Sequence, residues 1–283
     1  MNAKTNTLKA PMKTVMTANN DYPVGLWLRI VITVILLASM APLVVPMMMA
    51  VSDTPNIVFP PRGFTLKWFD KVIHTAEAQA SFFFSLRLAG VVTLVSLVLG
   101  IPAAAGLVRF NVPGKGAIIG LVLSPLVVPL IVTGVALLQV FSQLGWHATF
   151  MQLAVGHTVV CLPYVVRSVT SSFMLVNRSL EDAASVLGAS PATVARKVIW
   201  PQVRPGVLAG GVFAFIVSFD DYPISMWLAD GDHFPIPLYL HSQIELSFDP
   251  SIAAISTLMI LFALLLVLVI EKVFGISIAR LAT

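Results

Sequence analysis

The segment "NRSLEDAASVLGASPATVARKVIWPQVRPG", residues 177–206, is polar and separates two long apolar runs. Ser179 is a residue type that caps helices, and Glu181 and Asp182 would follow in the first turn. Carboxylates are favourable there because they face the positive end of the helix dipole. Gly188 suits the left-handed position that follows a helix. The first half of the segment therefore predicts a short helix that stops at Gly188.

A second short helix, "PATVARKVIW", is predicted after this glycine. Ser190-Pro191 opens it with proline at the first helical position, where the missing N–H costs nothing. We expect it to end at Pro201, since proline interrupts the backbone hydrogen bonds of a helix. The segment thus predicts two short helices hinged at Gly188.

The whole chain has the composition of a membrane protein. Of its 283 residues 58% are hydrophobic and 11% are charged, whereas soluble domains carry about 25% charged residues. A helix needs about 20 apolar residues to span a bilayer. The first run is too long for the apolar core of a signal peptide. The sequence predicts an all-α integral membrane protein with six transmembrane helices, at residues 26–51, 86–108, 117–141, 151–166, 207–228 and 252–274.

The basic residues predict the orientation of these spans. Thirteen of the 17 Lys and Arg residues fall on the side that holds the N-terminus and the segment 177–206. Because cytoplasmic loops are enriched in Lys and Arg, we expect this side to be cytoplasmic. Residues 1–25 would then form a cytoplasmic tail, and both termini would lie in the cytoplasm.

The polar segment resembles the EAA loop of ABC importer permeases. The matching positions are Asp182, Ala183, Ala184, Gly188, Val198 and Pro201. This sequence has Asp182 where the family has glutamate, Val198 for isoleucine and Trp200 for leucine. In that family the loop forms a coupling helix that docks in a groove of a cytoplasmic ATPase. The resemblance implies that the coupling residues are Glu181, Asp182, Ala183, Ala184, Leu187, Gly188, Ala189 and Pro201.

The resemblance extends from about Ser81 to Ile270 and is strongest for the polyamine (spermidine/putrescine) branch of these permeases. The runs "SFDD" and "FPIPLYLHSQIELSFDPSIAAISTLMI" are similar to that branch. It implies a type I ABC importer permease fold in a bacterial inner membrane, with polyamines as the cargo. The expected partners are a second permease subunit that is a paralogue, an ATPase dimer and an external solute-binding protein.

No cofactor or metal is expected on this chain. A phosphate-binding GxxxxGK[ST] loop is absent from the sequence, and "NVPGKGA" lacks its spacing. ATP and Mg²⁺ are therefore expected on the partner ATPase subunits, and the chain is not expected to be an enzyme. Cys161 is the single cysteine, which excludes an internal disulfide and a cysteine-based metal cluster. His233 and His241 are too far apart in a proline-broken loop to predict a metal site.

Two adjacent carboxylates, Asp220 and Asp221, lie inside the fifth predicted span. An intramembrane carboxylate costs about 2.5–3.5 kcal/mol on insertion scales, so it should face a cavity or a partner. One interpretation is that one or both line the substrate pathway and attract a cation. Alternatively, one makes a structural bond, or the pair marks the outer end of the span. The nearby aromatic residues could stack on a cation or could simply pack; they are Phe219, Tyr222 and Trp227.

Other polar groups allow two further interpretations. His157 lies within the fourth predicted span, where we favour an interhelical hydrogen bond over substrate contact. The loop after span five has no Lys or Arg and four acidic residues, Asp230, Asp232, Glu245 and Asp249. It could gather cations, dock a binding protein, or simply be solvated.

Three alternatives to a polyamine permease differ in the residues that each would require. The same permease family could move another charged nitrogen compound, such as an opine, an aminophosphonate or an amino-acid-like solute. An ion-coupled secondary carrier would need a relay of ionisable groups within the membrane. The acidic pair and His157 give little support for such a relay. An intramembrane enzyme would need convergent nucleophile, base or metal groups within the spans, and none appears in the sequence. ATP dependence of transport distinguishes the ABC permease from the carrier.

Overall fold

The computed structural model describes residues 25–56, 60–246 and 249–274. Within these ranges the regular structure is helical. The twelve α-helices are α1 Leu26–Ala50, α2 Lys67–His74, α3 Ala76–Arg109, α4 Lys115–Leu123, α5 Leu130–Gln143, α6 Thr149–Met174, α7 Arg178–Val186, α8 Pro191–Val194, α9 Trp200–Phe219, α10 Tyr222–Leu228, α11 Ile236–Leu246 and α12 Ser251–Phe274.

The chain divides into two compact units, residues 1–44 and 45–283. Of the first unit the structure describes residues 25–44, which form most of α1. This helix has 25 residues, long enough to cross about 30 Å of hydrocarbon. Most of the predicted tail, residues 1–24, lies outside the described residues. The second unit holds the remaining helices.

Five helices in the described part of the chain are long and apolar enough to cross a membrane, and a bent helix pair makes a sixth possible span. The all-helical fold class and the multi-span architecture are thereby confirmed. The five are Leu26–Ala50, Ala76–Arg109, Thr149–Met174, Pro191–Phe219 and Ser251–Val269. Ala76–Arg109 and Thr149–Met174 extend well beyond the predicted 86–108 and 151–166.

The third predicted span, 117–141, is not one straight helix. Residues 115–126 and α5 meet at a bend of 102°. Pro125 lies in a 3₁₀ turn, and Pro129 has an extended backbone directly before α5. A proline disfavours the helical conformation of the residue before it and removes a backbone donor. Two prolines four residues apart therefore break the span.

The fifth predicted span, 207–228, is also divided. Helix α9 ends at Phe219, and α10 begins at Tyr222 with Pro223 in its first turn. Asp220 and Asp221 form the link between the two helices. The prediction of one continuous helix was wrong here, because a proline and a capping aspartate together favour a new helix start.

The core of the second unit is formed by α3, α6 and α9, which pack along one another. Small residues of α9 allow α6 to approach closely. A Cβ atom placed on Gly206 would lie 2.7 Å from the backbone oxygen of Ser168, and one on Gly210 would lie 3.1 Å from the Cα of Val165. Small residues at such interfaces are typical of membrane helix packing.

The polar segment between α6 and α9 contains the two predicted helices, α7 and α8, with Gly188 between them at a φ of 82°. The α7 cap is Asn177 rather than Ser179: the Asn177 side chain accepts a hydrogen bond from the Ser179 backbone N–H. Ser190 caps α8 by accepting from the Thr193 backbone N–H.

The second helix does not end at Pro201. A π-helical turn, Ala195–Ile199, follows α8 and leads directly into α9, which contains Pro201 in its first turn. Residues 191–219 therefore form one continuous helical rod of 29 residues. A π turn changes the hydrogen-bond pattern just before the proline, and this allows the chain to remain helical where an α-helix would lose a bond.

Candidate functional site

The break between α9 and α10 gives the two adjacent aspartates different environments. Asp221 is buried, and its Oδ1 accepts a hydrogen bond of 2.8 Å from the backbone N–H of Ile224. It is the N-cap of α10. Asp220 is exposed within this chain. The carboxylate of Asp221 is therefore held by the fold, whereas that of Asp220 is available to a ligand.

His157 of α6 connects the two helices on either side of this break. Its ring is fully buried. The Nδ1 atom lies 3.0 Å from the Ser218 Oγ of α9, and the Nε2 atom lies 3.2 Å from the Ser225 Oγ of α10. A neutral imidazole has one donor and one acceptor nitrogen, and a serine hydroxyl can complement either. The predicted interhelical bond is present, and it joins three helices.

Helix α10 also packs on α5, the second half of the bent pair. A Cβ atom on Gly134 of α5 would lie 3.1 Å from the Pro223 backbone oxygen and 2.8 Å from a ring carbon of Trp227. Trp227 is half-buried against this glycine. Of the residues proposed for the pathway, Trp227 thus lies at the α5 interface, and its position favours the packing interpretation.

A small cavity of about 170 Å³ adjoins Asp220. Aromatic and aliphatic side chains of α9 and α12 line it, namely Phe215, Ile216, Phe219, Met259, Ile260, Phe262, Ala263 and Leu266. Phe219 is 5% exposed and lies in an aromatic cluster, with its ring centroid 5.1 Å from that of Phe262 and 5.8 Å from that of Phe82. Asp220 is the acidic group of this otherwise apolar wall.

Tyr222 stacks on His241 of α11 with ring centroids 4.7 Å apart. This contact joins the start of α10 to the acidic region that follows it in the sequence. Tyr222 is half-buried, so one face of its ring is engaged by the histidine. The five pathway candidates therefore do not converge on one cavity: Phe219 and Asp220 share one, while the other three are placed by helix contacts.

The acidic loop is internally organised. A hydrogen bond from the Thr149 hydroxyl lowers the pKa of Asp230 to about 2, and His233 adds bonds from its backbone and ring nitrogens. Asp249 forms an ion pair of 2.6 Å with Lys71 of α2. The predicted acidic loop is thus partly neutralised by a lysine from a distant segment, which sequence reasoning did not anticipate.

The polar segment 177–206 contains a second unanticipated contact. Glu181 of α7 forms two hydrogen bonds of 2.7 Å with Arg109, the last residue of α3. Its carboxylate is therefore engaged within the chain. By contrast, Val186 and Leu187 at the end of α7 are each 87% exposed. Sequence reasoning did not find the Arg109 contact. The one signal was that Arg109 ends an apolar run on the same predicted side of the membrane as residues 177–206.

Comparison with known proteins gives the following similarities. Residues 96–282 match the family described as binding-protein-dependent transport system inner membrane component. The chain is 30% identical over 207 residues to the spermidine/putrescine transport system permease protein PotC of Escherichia coli K12, which covers 73% of this chain and 78% of PotC. It is 29% identical over 237 residues to the putrescine transport system permease protein PotI of the same strain. This match covers 80% of this chain and 84% of PotI.

Among solved structures, the chain is similar to one from a bacterial ABC transporter involved in the import of the acidic polysaccharide alginate. The TM-score is 0.64, and the match covers 93% of this chain and 99% of that chain at 14% identity. At this identity the similarity shows the fold alone.

Proposed function

The chain belongs to the family of binding-protein-dependent transport system inner membrane components, and from this premise we propose that it moves polyamines inward as the permease subunit of an ABC importer. The observation that carries the choice of cargo is the similarity to PotC and PotI. Both are permeases of polyamine systems, and each match covers more than two thirds of both chains.

The acidic residue Asp220 supports a cationic cargo. It is exposed, it borders a cavity with apolar and aromatic walls, and no basic residue lines that cavity. A polyamine combines ammonium groups with methylene chains. We propose that Asp220 attracts an ammonium group while the neighbouring aromatic walls contact the alkyl part. Asp221 would hold the start of α10 and contact the cargo little.

The segment α7–α8 would dock with the ATPase. Its exposed apolar end, Val186 and Leu187, suits insertion into a groove of a partner. ATP and Mg²⁺ would bind to those separate subunits, and this chain would hydrolyse nothing itself. The remaining proposed partners are a paralogous second permease and an external solute-binding protein. In this arrangement both termini lie in the cytoplasm.

Binding of ATP would close the ATPase pair and move α7–α8. Because residues 191–219 form one rod, displacement of α8 would pass along α9 to the break at Asp220. The π turn at Ala195–Ile199 is the irregular part of that rod, and such turns are frequent at functional sites. The pathway would then open outward and receive cargo from the binding protein.

The test is ATP-dependent uptake of labelled putrescine and spermidine by the reconstituted complex, with the variants Asp220→Asn and Asp221→Asn as a matched pair. Asparagine caps a helix about as well as aspartate, so Asp221→Asn should keep α10 in place. We expect wild-type uptake, a raised KM in Asp220→Asn, and a smaller effect in Asp221→Asn.

Each contrary result has a definite meaning. Equal uptake by wild type and Asp220→Asn would contradict the role of Asp220. An assembled complex that hydrolyses ATP without taking up either polyamine would contradict the cargo, and other charged nitrogen compounds would be tested next. Uptake that persists without ATP and follows an ion gradient would indicate a secondary carrier.

A further inference from the structure

A bidentate ion pair joins the coupling segment to a helix that is distant from it in sequence. The Arg109 Nη1 atom donates to the Glu181 Oε2 atom and Nη2 donates to Oε1, both at 2.7 Å. The Arg109 side chain is 21% exposed and that of Glu181 is 16% exposed. A bidentate pair shielded from water is stronger and more directional than an exposed ion pair. It can therefore fix α7 relative to the end of α3.

Helix α7 has few other means of attachment. None of its nine residues is buried. It is followed by the glycine hinge at Gly188, whose positive φ marks a turn in the chain. Arg109, in contrast, is anchored: its guanidinium carbon lies 5.8 Å from the ring centroid of Phe173, a buried residue of α6. The less buried partner of the pair is thus α7, and the better anchored partner is the end of α3.

From Arg109, helix α3 runs without interruption to the opposite end of the bundle. It has 34 residues, which corresponds to about 51 Å. At its far end the Ser85 Oγ accepts a 2.8 Å hydrogen bond from the Ile236 backbone N–H, at the start of α11. Phe82 there contacts the ring of Phe219, the residue before Asp220. One rigid element therefore links the coupling segment to the acidic break.

We propose that Arg109 is a positioning residue that transmits movement of the coupling helix α7 to α3, and through α3 to the break at Asp220. This route is separate from the continuous chain through α8 and α9. With both routes intact, α3 and α9 move together when α7 is displaced. The inference rests on the proposed function, because it assigns a part in the ATP-driven cycle.

The test follows the accessibility of position 220 and needs no cargo. Cys161 is the only cysteine, so Cys161→Ala with Asp220→Cys leaves one thiol, at the break. The assembled complex is treated from outside with a membrane-impermeant maleimide, with and without a non-hydrolysable ATP analogue. We expect the analogue to increase labelling when Arg109 is present. In Arg109→Gln and in Glu181→Gln this increase should fall about fivefold or more.

Two variants serve as controls. The exchange Arg109→Glu with Glu181→Arg restores an ion pair of reversed polarity and should recover the labelling increase. Lys115→Gln removes a cation from the next cytoplasmic turn and should behave as the parent does. Copurification with the ATPase subunits shows that each complex is assembled.

Three results would overturn the inference. They are an unchanged labelling increase in Arg109→Gln, a loss that the exchange does not recover, and no effect of the analogue in the parent. Uptake of polyamines by wild type is measured separately, so its absence would contradict the proposed cargo and leave the role of Arg109 to be decided by labelling.

Discussion

At the scale of single residues, the adjacent Asp220 and Asp221 differ because a helix starts directly after them. The residue before a helix can bond the free N–H groups of the first turn, and Asp221 does so. Asp220 lies one position too early for this and remains exposed. The same type of side chain therefore caps a helix at one position and is exposed at the position before it.

His157 is the residue that holds this arrangement from the other side, so its loss should disturb the break. His157→Leu leaves the hydroxyls of Ser218 and Ser225 without their ring partner. A buried polar group without a hydrogen bond costs about 1–3 kcal/mol, and we expect the free energy of unfolding to fall by that order. Uptake should also fall, since the position of Asp220 depends on both serine-bearing helices. Thermal unfolding in detergent and uptake measure the two effects.

Thr158→Val is the matched control for His157→Leu. Thr158 is on the same helix, but its hydroxyl bonds the backbone oxygen of Ala154 within α6. We expect little loss of stability or uptake. If His157→Leu were as stable and active as this control, the bridge would contribute nothing to the site.

At the scale of helices, the effect of a proline depends on its neighbours. Pro102 and Pro163 lie inside α3 and α6, which remain unbroken. Pro125 and Pro129 divide the third span, where two prolines act within four residues. In a membrane, surrounding helices can satisfy the groups that one proline frees, and this is easiest in the packed core. Pro163 is buried in that core, and α3, which contains the exposed Pro102, packs along it, whereas α4 has no buried residue.

The contact between α6 and α9 gives a prediction for helices. Gly206→Ala would place a methyl group 2.7 Å from the Ser168 backbone oxygen, so one of the helices must move. Overpacking costs about 1–3 kcal/mol, and we expect the free energy of unfolding to decrease accordingly. Because α9 continues the coupling segment, uptake per ATP hydrolysed should decrease as well.

Gly90→Ala is the control for this substitution. A Cβ atom on Gly90 of α3 meets no atom within 4 Å. Alanine is favoured over glycine in a helix by about 1 kcal/mol, so stability should be retained or should increase. Equal melting temperatures for the two alanine variants would contradict the close contact at Gly206.

At the scale of the whole molecule, ion pairs join segments that are far apart in sequence. Lys71 and Asp249 are separated by 178 residues and connect α2 with the start of α12. Burial alone would raise the pKa of Asp249, but hydrogen bonds from Lys71 and Ser251 outweigh it and lower the pKa below its usual range. A carboxyl with a lowered pKa stabilises the folded state above its unfolded pKa. That stability is lost as the pH falls through the folded value.

Lys71→Met should therefore destabilise the protein at neutral pH and weaken the dependence of its stability on acid. Without the ammonium group the folded pKa of Asp249 rises, so the stability that wild type loses as the pH falls is already missing at pH 7, and the difference between the two proteins narrows on acidification. Lys71 is half-exposed, so solvent screening limits the contribution to about 1 kcal/mol or less. Melting temperatures measured from pH 7 down to about pH 3 would show the difference, since unfolded aspartate titrates near 3.9.

Lys67→Met is a suitable control for the pH series. Lys67 is also on α2 and also lies over the Trp68 ring, but its partner Asp53 is 61% exposed. We expect a smaller loss of stability at pH 7 and a smaller change in its pH dependence. An identical shift in the two variants would mean that the pairing with Asp249 has no specific effect.

Much of the fold could be predicted from local signals. Apolar runs of spanning length identified the membrane class, since no soluble protein could cover them with polar surface. The glycine and serine signals at Gly188 and Ser190 located both ends of the hinge correctly, because capping and left-handed conformations depend on side chains within a few residues. The helix ends at Phe219 and near Pro125 were not anticipated. A helix can continue through a proline or break at it, and which happens depends on the helices packed around it.

The candidate site was only partly predictable. The sequence indicated that an acidic pair in an apolar run needs a partner, and it indicated a coupling segment on the basic side of the membrane. It could not distinguish Asp220 from Asp221, because that difference depends on where α10 starts. It also gave no reason to pair Arg109 with Glu181, since several other charged residues are predicted on the same side of the membrane.

By itself, then, the sequence determined the solvent in which this protein folds, the number of apolar runs and the nature of the segment 177–206. These follow from hydropathy and from capping over short distances. The tertiary structure alone decided which groups meet: His157 with two serines, Arg109 with Glu181, Lys71 with Asp249. The two serines are 61 and 68 residues from His157, and the ion pairs join residues 72 and 178 apart. These separations leave no local pattern, because such contacts form only when packed helices bring the side chains together.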